Sequence, residues 1–405
     1  MIIYVSQDGL TDHIGQSQVV PYLIGLAKLG YQLHIVSAEK EGREQCIQEH
    51  AAKLSKAGIA WTRTKYSNRI QIFDQFRTQC RLYMAVRRLI QNNNVEFLHC
   101  RSHPAAIIGF LLKKRFRIKY IFDFRDFYAD CGIEKSIIIS RMIYLLIKKL
   151  EPLMLNKSDY IVCLTERSRE ILVQQYPSLI AKKFQTIPCC ADFTHFDPQG
   201  VSTDRVEQIR KELKFSEHDF ILVYLGSLGF DYLLSEMLYL FKELIKINDK
   251  SNFLFILNNG FEAVEREANR LSLPLEKIQS VSVQRAEIPD YLALADMSVV
   301  FIRSSLSKAG CSPTKLAELF ASNIPVIANA GVGDLDAIID PEQNGSVLVK
   351  DFSPAALRTA LIELLEMRTR KVSIRKNSFS YSLETGVSLY AGVYAKLLED
   401  ECLIS

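Results

Sequence analysis

Short apolar runs alternate along this chain with stretches in which apolar residues recur every three or four positions. The first pattern predicts buried strands and the second amphipathic helices. In the first half the runs fall at 2–6, 32–38, 97–101, 120–125 and 160–165. In the second half they fall at 220–226, 253–259, 278–283, 297–302, 324–329 and 345–349. Strands alternating with helices predict βα units and parallel sheets. Residues 17–30 read as the first such helix, with Gly30 suited to its C-cap and Pro21 marking a late start or a kink. Residues 187–200, IPCCADFTHFDPQG, contain two prolines and little periodicity and read as a linker. The last periodic stretch, 384–401, predicts a terminal helix. Two βα-alternating halves of similar size predict an α/β fold of two Rossmann-like domains with a cleft between them. Ligands of such sheets bind at the carboxyl ends of the strands.

Residues 311–350 carry the densest chemical signal. Ser312 suits an N-cap and Pro313 the first helical position. Leu316, Leu319 and Phe320 form an apolar stripe, and Lys315 and Glu318 lie on neighbouring surface positions. A first-turn lysine opposes the helix dipole by about 0.3–1 kcal/mol. An anion at the helix start, where free N–H groups favour phosphate, removes that cost. Glu318, one turn deeper, then suits the hydroxyls of a sugar attached to the phosphate. Two readings stand: a nucleotide-diphosphate cradle, or an ordinary capped surface helix.

Composition adds charge asymmetry. The net charge is +4, but residues 1–200 hold 28 Lys and Arg against 18 Asp and Glu, whereas residues 201–405 hold 22 against 28. A basic first half implies an anionic partner (nucleic acid, a phosphorylated lipid or a membrane surface) or two charge-complementary domains. The nine cysteines are scattered without a CxxC pair, which argues against zinc and for reduced thiols in a cytoplasm. The start MIIYVSQ reads as a strand rather than a targeting segment. The apolar stretch 136–155 is broken by Arg141, Lys148, Lys149, Glu151 and Pro152. It is too interrupted to span a bilayer and reads as a core helix or a membrane-surface helix.

Four segments together resemble the retaining glycosyltransferases of the GT-B architecture, specifically glycosyltransferase family 4. They are SQDGLTDHIGQSQVVPYLIGLAKLGYQLHIVS, the pair HCRSHPAAIIG and IFDFRDFYAD, IPCCADFTHFDP with VYLGSLGFDYLLSEML, and SPTKLAELFASNIPVIANAGVGD. The resemblance covers nearly the whole length. It implies an acceptor-binding domain over 1–195, a nucleotide-sugar-binding domain over 196–380, and a terminal helix, 381–405, returning to the first domain. By the resemblance, Gly15 and Gln16 approach the donor's diphosphate and sugar, and Gly226 and Ser227 meet the phosphates. Ser312, Pro313 and Thr314 supply helix-start amides, Lys315 neutralises charge and Glu318 binds the ribose. Arg285 opens a loop beside the nucleobase. His103 and Asp126, just after strands, stand nearest the chemistry. Asp126 suits orienting or deprotonating an acceptor hydroxyl, and His103 suits donating to donor or acceptor oxygens.

Two departures qualify the match. GSLGFDY lacks the Arg and downstream Lys that relatives often carry after this strand. Gly310 stands where many place a sugar-contacting glutamate. The reaction implied is metal-independent transfer of a hexosyl-type sugar from a nucleotide diphosphate sugar to an acceptor hydroxyl, with retention of configuration. The donor is a co-substrate, and no cofactor is implied. The tripeptide DLD at 334–336 lies in the wrong context for a metal site. The expected acceptor is a sugar or lipid-linked sugar in bacterial surface polysaccharide or glycolipid assembly. The basic run KKRFRIK, 113–119, is expected to bring the protein to the anionic inner face of the cell membrane, and nucleic acid is not expected. A nucleotide-sugar epimerase and a non-catalytic two-domain scaffold are the competing readings. A dehydrogenase lacks its GxGxxG and a P-loop enzyme its GxxxxGK.

Overall fold

The computed structural model describes residues 1–67, 71–135, 138–370 and 372–402. The chain forms two compact units. The first comprises Met1–Cys189, Leu306–Ser312 and Leu383–Ser405; the second comprises Cys190–Ser305 and Pro313–Ser382.

Among the described residues the first unit holds seven strands: β1 (Ile2–Ser6), β2 (Leu33–Glu39), β3 (Ala60–Lys65), β4 (Phe97–Arg101), β5 (Lys119–Phe124), β6 (Tyr160–Cys163) and β7 (Phe184–Thr186). They pair in the order β3-β2-β1-β4-β5-β6-β7, all parallel. The second unit holds β8 (Phe220–Leu225), β9 (Ser251–Ile256), β10 (Ile278–Val281), β11 (Met297–Val300), β12 (Val326–Asn329) and β13 (Val347–Val349). Their order is β10-β9-β8-β11-β12-β13, also parallel. Both units are Rossmann-like, each with a switch point, between β1 and β4 and between β8 and β11.

The central strands are the continuous apolar runs of the sequence, because helices cover both faces of a parallel sheet. β3 and β7 escape that pattern. As edge strands they are only partly buried, and AWTRTK and FQT carry too few apolar residues to announce themselves. Pro21 does not kink one helix. The helical run is two pieces, His13–Gln18 and Val20–Lys28, separated at Val19, with Pro21 in the first turn of the second. Gly30 follows with φ of 93° and closes that helix.

Residues 187–200 are more ordered than a linker implies. Ile187, Cys190, Ala191, Phe193 and Phe196 are buried, and Arg375 holds the Phe193 carbonyl and the Asp197 carboxylate. The terminal helix Leu383–Cys402 is anchored by polar groups. Tyr394 Oη lies 2.8 Å from His99 Nδ1, and Tyr390 Oη donates to Asp123 at 3.3 Å. The apolar stretch 136–155 becomes the helix Ile138–Lys157, while Ser136 and Ile137 lie outside the described residues. One face buries Glu151, Met154 and Leu155, and the other exposes Met142, Leu145, Leu146 and Leu153. Among the described residues no helix is long and apolar enough to cross a membrane.

Candidate functional site

In the second unit the expected donor residues converge at the carboxyl ends of the strands. The chain leaves β8 through Gly226, whose φ of 120° is open to glycine and strained for other residues. A Cβ built on Gly226 would lie 3.0 Å from the Lys315 ammonium, so that ammonium sits directly against the loop. Lys315 is buried in the first turn of the helix Thr314–Ala321. Its Nζ donates to Tyr224 Oη at 2.9 Å and lies 4.3 Å and 3.9 Å from the ring centroids of Tyr224 and Tyr232. Tyr224 Oη in turn donates to the Ser227 carbonyl at 2.8 Å. Burial, and then the neighbouring Tyr232, raise the Tyr224 phenol far above its ordinary range. The phenol therefore stays neutral, and its oxygen accepts from the Lys315 ammonium beside the loop.

One turn deeper, Glu318 accepts from Arg285 Nη1 at 2.9 Å. The residue expected at the ribose and the residue expected at the base are thus a salt bridge. Arg285 also lies over the Phe196 ring at 5.5 Å, and its carbonyl is 3.1 Å from His195 Nε2. The expected cap is corrected. Pro313, not Ser312, is the N-cap, without a side-chain cap bond. Ser312 Oγ instead accepts the Cys189 amide at 3.0 Å. Asp336, in the DLD tripeptide, accepts the Gly331 amide at 2.8 Å and so closes the glycine-rich loop. A cavity lined by Asp296, Asn323, Pro325 and Gly345 opens at the amino ends of β11–β13, the opposite side from these residues. Its arginines Arg368 and Arg375 are committed to Asp296 and Asp197.

In the first unit the loop after β1 is held by a carboxylate that sequence reading overlooked. Glu39 accepts from the Leu10 and Thr11 amides, from Thr11 Oγ1 and from Ser37 Oγ. Gly15 is required by that loop's own closure: a Cβ would lie 2.4 Å from the Gly9 carbonyl. Gln16 turns its amide back onto the Thr11 carbonyl at 3.0 Å.

His103 and Asp126 follow β4 and β5. The chain enters the helix Ser102–Phe116 through Ser102 in the left-handed region, φ 61°, an uncommon conformation that costs of order 1–3 kcal/mol. His103 comes next and is wholly buried, with Nε2 2.7 Å from Glu151 Oε2 and Nδ1 without a partner among the described residues. Asp126 is half-buried, but its Oδ1 is shielded from solvent and likewise has no partner among the described residues. Burial raises its carboxyl above the ordinary value, with His103 opposing. A carboxyl so perturbed suits proton transfer. Gly310 packs against this turn: a Cβ there would lie 3.2 Å from both Asp126 Cα and the Phe127 ring. Thr165 Oγ1 pins the same segment through the Ala309 carbonyl at 2.8 Å. The structure therefore has little room for any side chain at Gly310. Glu39 and Glu151 left one signal in the sequence, a lone acid at the end of an apolar strand or within an apolar helix.

The comparisons match this architecture. Residues 16–195 match the family model described as Glycosyltransferase Family 4, and residues 205–380 match Glycosyl transferases group 1. No curated protein sequence matches. Sucrose-phosphate synthase from Thermosynechococcus elongatus superposes with a TM-score of 0.73 at 15% identity, over 98% of this chain and 99% of that one. Anabaena HepE, solved with UDP-glucose, gives 0.66 at 12%, over 98% and 99%. WaaG, a glycosyltransferase of lipopolysaccharide biosynthesis, gives 0.66 at 12%, over 97% and 99%.

Proposed function

The chain belongs to the GT-B glycosyltransferases of family 4, and from that premise we propose that it moves a sugar from a nucleotide diphosphate sugar to an acceptor hydroxyl with retention of configuration. The observation that carries the donor assignment is the buried Lys315 ammonium held against the Gly226 loop. That ammonium, with the amides of Gly226, Ser227 and Thr314, meets the charge that builds on the leaving diphosphate. Preorganised donors of this kind stabilise such charge without reorganising at the moment of reaction. Lys315 thereby takes the place of the Arg and Lys missing from GSLGFDY and supports a metal-independent reaction. Glu318 exchanges Arg285 for the ribose hydroxyls, and Arg285 moves to the base. On the acceptor side, Asp126 orients or deprotonates the attacking hydroxyl beside His103.

The structure solved with UDP-glucose favours a uridine diphosphate sugar as the donor to test first. WaaG favours an acceptor in surface polysaccharide or glycolipid assembly. Peripheral membrane attachment accords with that acceptor. Helix Ile138–Lys157 exposes Met142, Leu145, Leu146 and Leu153 with Arg141 and Lys149, a basic amphipathic face.

Incubation with a panel of nucleotide sugars, with and without acceptor sugars, tests the reading. Product that requires the acceptor, with the donor's anomeric configuration retained by NMR, supports it. Product without acceptor would support an epimerase instead. Glu318→Ala is expected to weaken UDP binding about ten-fold or more in calorimetry. Unchanged affinity would remove Glu318 from the donor site.

A further inference from the structure

His103 is the second residue of its helix, and its imidazole is packed on several sides. The ring stacks on Tyr128 and meets Phe122 and Phe124 at centroid distances of 5.7, 5.2 and 5.1 Å. Such packing resists the ring flip that would exchange Nδ1 with Nε2. Glu151, from the helix Ile138–Lys157, is equally enclosed. Its Oε2 faces His103 Nε2 at 2.7 Å, and its Oε1 accepts from Lys148 Nζ and Tyr176 Oη, each at 2.9 Å. Asp130 holds the far side of Lys148 at 2.7 Å. Burial alone would raise the Glu151 carboxyl, but the hydrogen bond and charge of His103 and the charge of Lys148 bring it down to about 2. Glu151 is thus an anion at neutral pH, and an ionised carboxylate only accepts. The carboxylate therefore receives an N–H from His103 Nε2 across the 2.7 Å contact.

Resting on the reading of His103 as a group that meets the substrates, we propose that Glu151 is its positioning residue. It fixes the Nε2–H tautomer and leaves the Nδ1 lone pair as an acceptor for a substrate hydroxyl. His103 then accepts at Nδ1, the reverse of the donor role that its sequence position implied. Lys148, Tyr176 and Asp130 hold the carboxylate in place, as a supporting shell does for a catalytic imidazole.

The test is a two-bond 1H–15N correlation spectrum of the full chain labelled with 15N-histidine, His103 being identified by its loss in His103→Asn. The expected wild-type spectrum shows Nε2 protonated and Nδ1 bare. In Glu151→Gln, whose amide both donates and accepts, the two tautomers are expected to mix. With a nucleotide sugar and its acceptor, kcat should fall on the order of 100-fold, with the donor KM within about two-fold. Glu151→Asp should restore the Nε2–H tautomer and part of kcat. A wild-type His103 protonated on Nδ1 overturns the proposal, as does Glu151→Gln with both tautomer and kcat unchanged. The spectrum needs no turnover. A wild-type protein that transfers no sugar would overturn the functional reading, while the tautomer would still be decided.

Discussion

A lysine in the first turn of a helix faces the positive end of the dipole, and Lys315 carries the further cost of burial. Two tyrosine faces and one phenol oxygen offset part of this, a desolvated cation–π contact contributing about 2 kcal/mol. A residue that costs stability where it stands is a candidate for function. Lys315→Met, which keeps the stem and removes the charge, is expected to leave the melting temperature unchanged or raise it. The same variant should lose about ten-fold or more in UDP affinity by calorimetry. A variant that melts lower and binds UDP normally would make Lys315 a structural lysine. Sequence pattern placed Lys315 at a helix start. Its partners Tyr224 and Tyr232 were visible only as residues in and after a strand, because 91 residues separate Lys315 from the phenol it meets.

Between elements, polar contacts set how helices attach to the first sheet. His103 and Glu151 join the helix Ser102–Phe116 to the helix Ile138–Lys157. His99, Asp123, Tyr390 and Tyr394 join the terminal helix to β4 and β5. Tyr394→Phe leaves the buried His99 Nδ1 without its partner and should destabilise the protein by about 1–3 kcal/mol in denaturant titration. An unchanged unfolding midpoint would mean that the bond does not anchor the helix.

Acid should weaken these joints. Glu151 titrates near 4.5 when unfolded and about 2 when folded, so its contribution is complete above pH 4.5 and is lost as pH falls towards 2. The stake is on the order of 3 kcal/mol. Asp123 is shifted in the same direction: burial would raise it, but Arg125 first, and then His99 and Arg101, hold it well below the ordinary value. Burial also lowers the pKa of His99, with Asp123 opposing, so its contribution declines as pH falls below 6.5. Thermal melts from pH 7 to pH 3 should therefore show falling stability, with a shallower acid limb in Glu151→Gln. Parallel limbs would exclude the Glu151 pairing in solution. None of this coupling was legible in advance. Apolar periodicity locates a helix and its face, but not which buried acid a histidine 48 residues away will meet.

At the scale of the molecule, the basic charge of the first half resolves into separate uses. Within KKRFRIK, Lys113 is bonded to Asp159, and Lys119 donates to the Leu397 carbonyl. Lys114, Arg115 and Arg117 remain exposed, as does the apolar face of Met142, Leu145, Leu146 and Leu153. Co-sedimentation with vesicles containing anionic lipid should be reduced several-fold by Leu145→Ser with Leu146→Ser, and more weakly by Lys114→Gln with Arg115→Gln. Binding that survives both pairs would exclude this face as the membrane contact. The sequence by itself determined the two parallel α/β units, their central strands, the glycine after β8 and the lysine at a helix start. These depend on local period and on chain conformation, which a single segment records. Tertiary structure alone decided that Ser312 serves Cys189 rather than its helix and that Glu318 rests on Arg285. It also decided that a side chain at Gly310 would crowd Asp126 and Phe127, and that Glu151 meets His103. Each of these is a contact across tens of residues or more, set by how buried polar groups find partners when the elements pack.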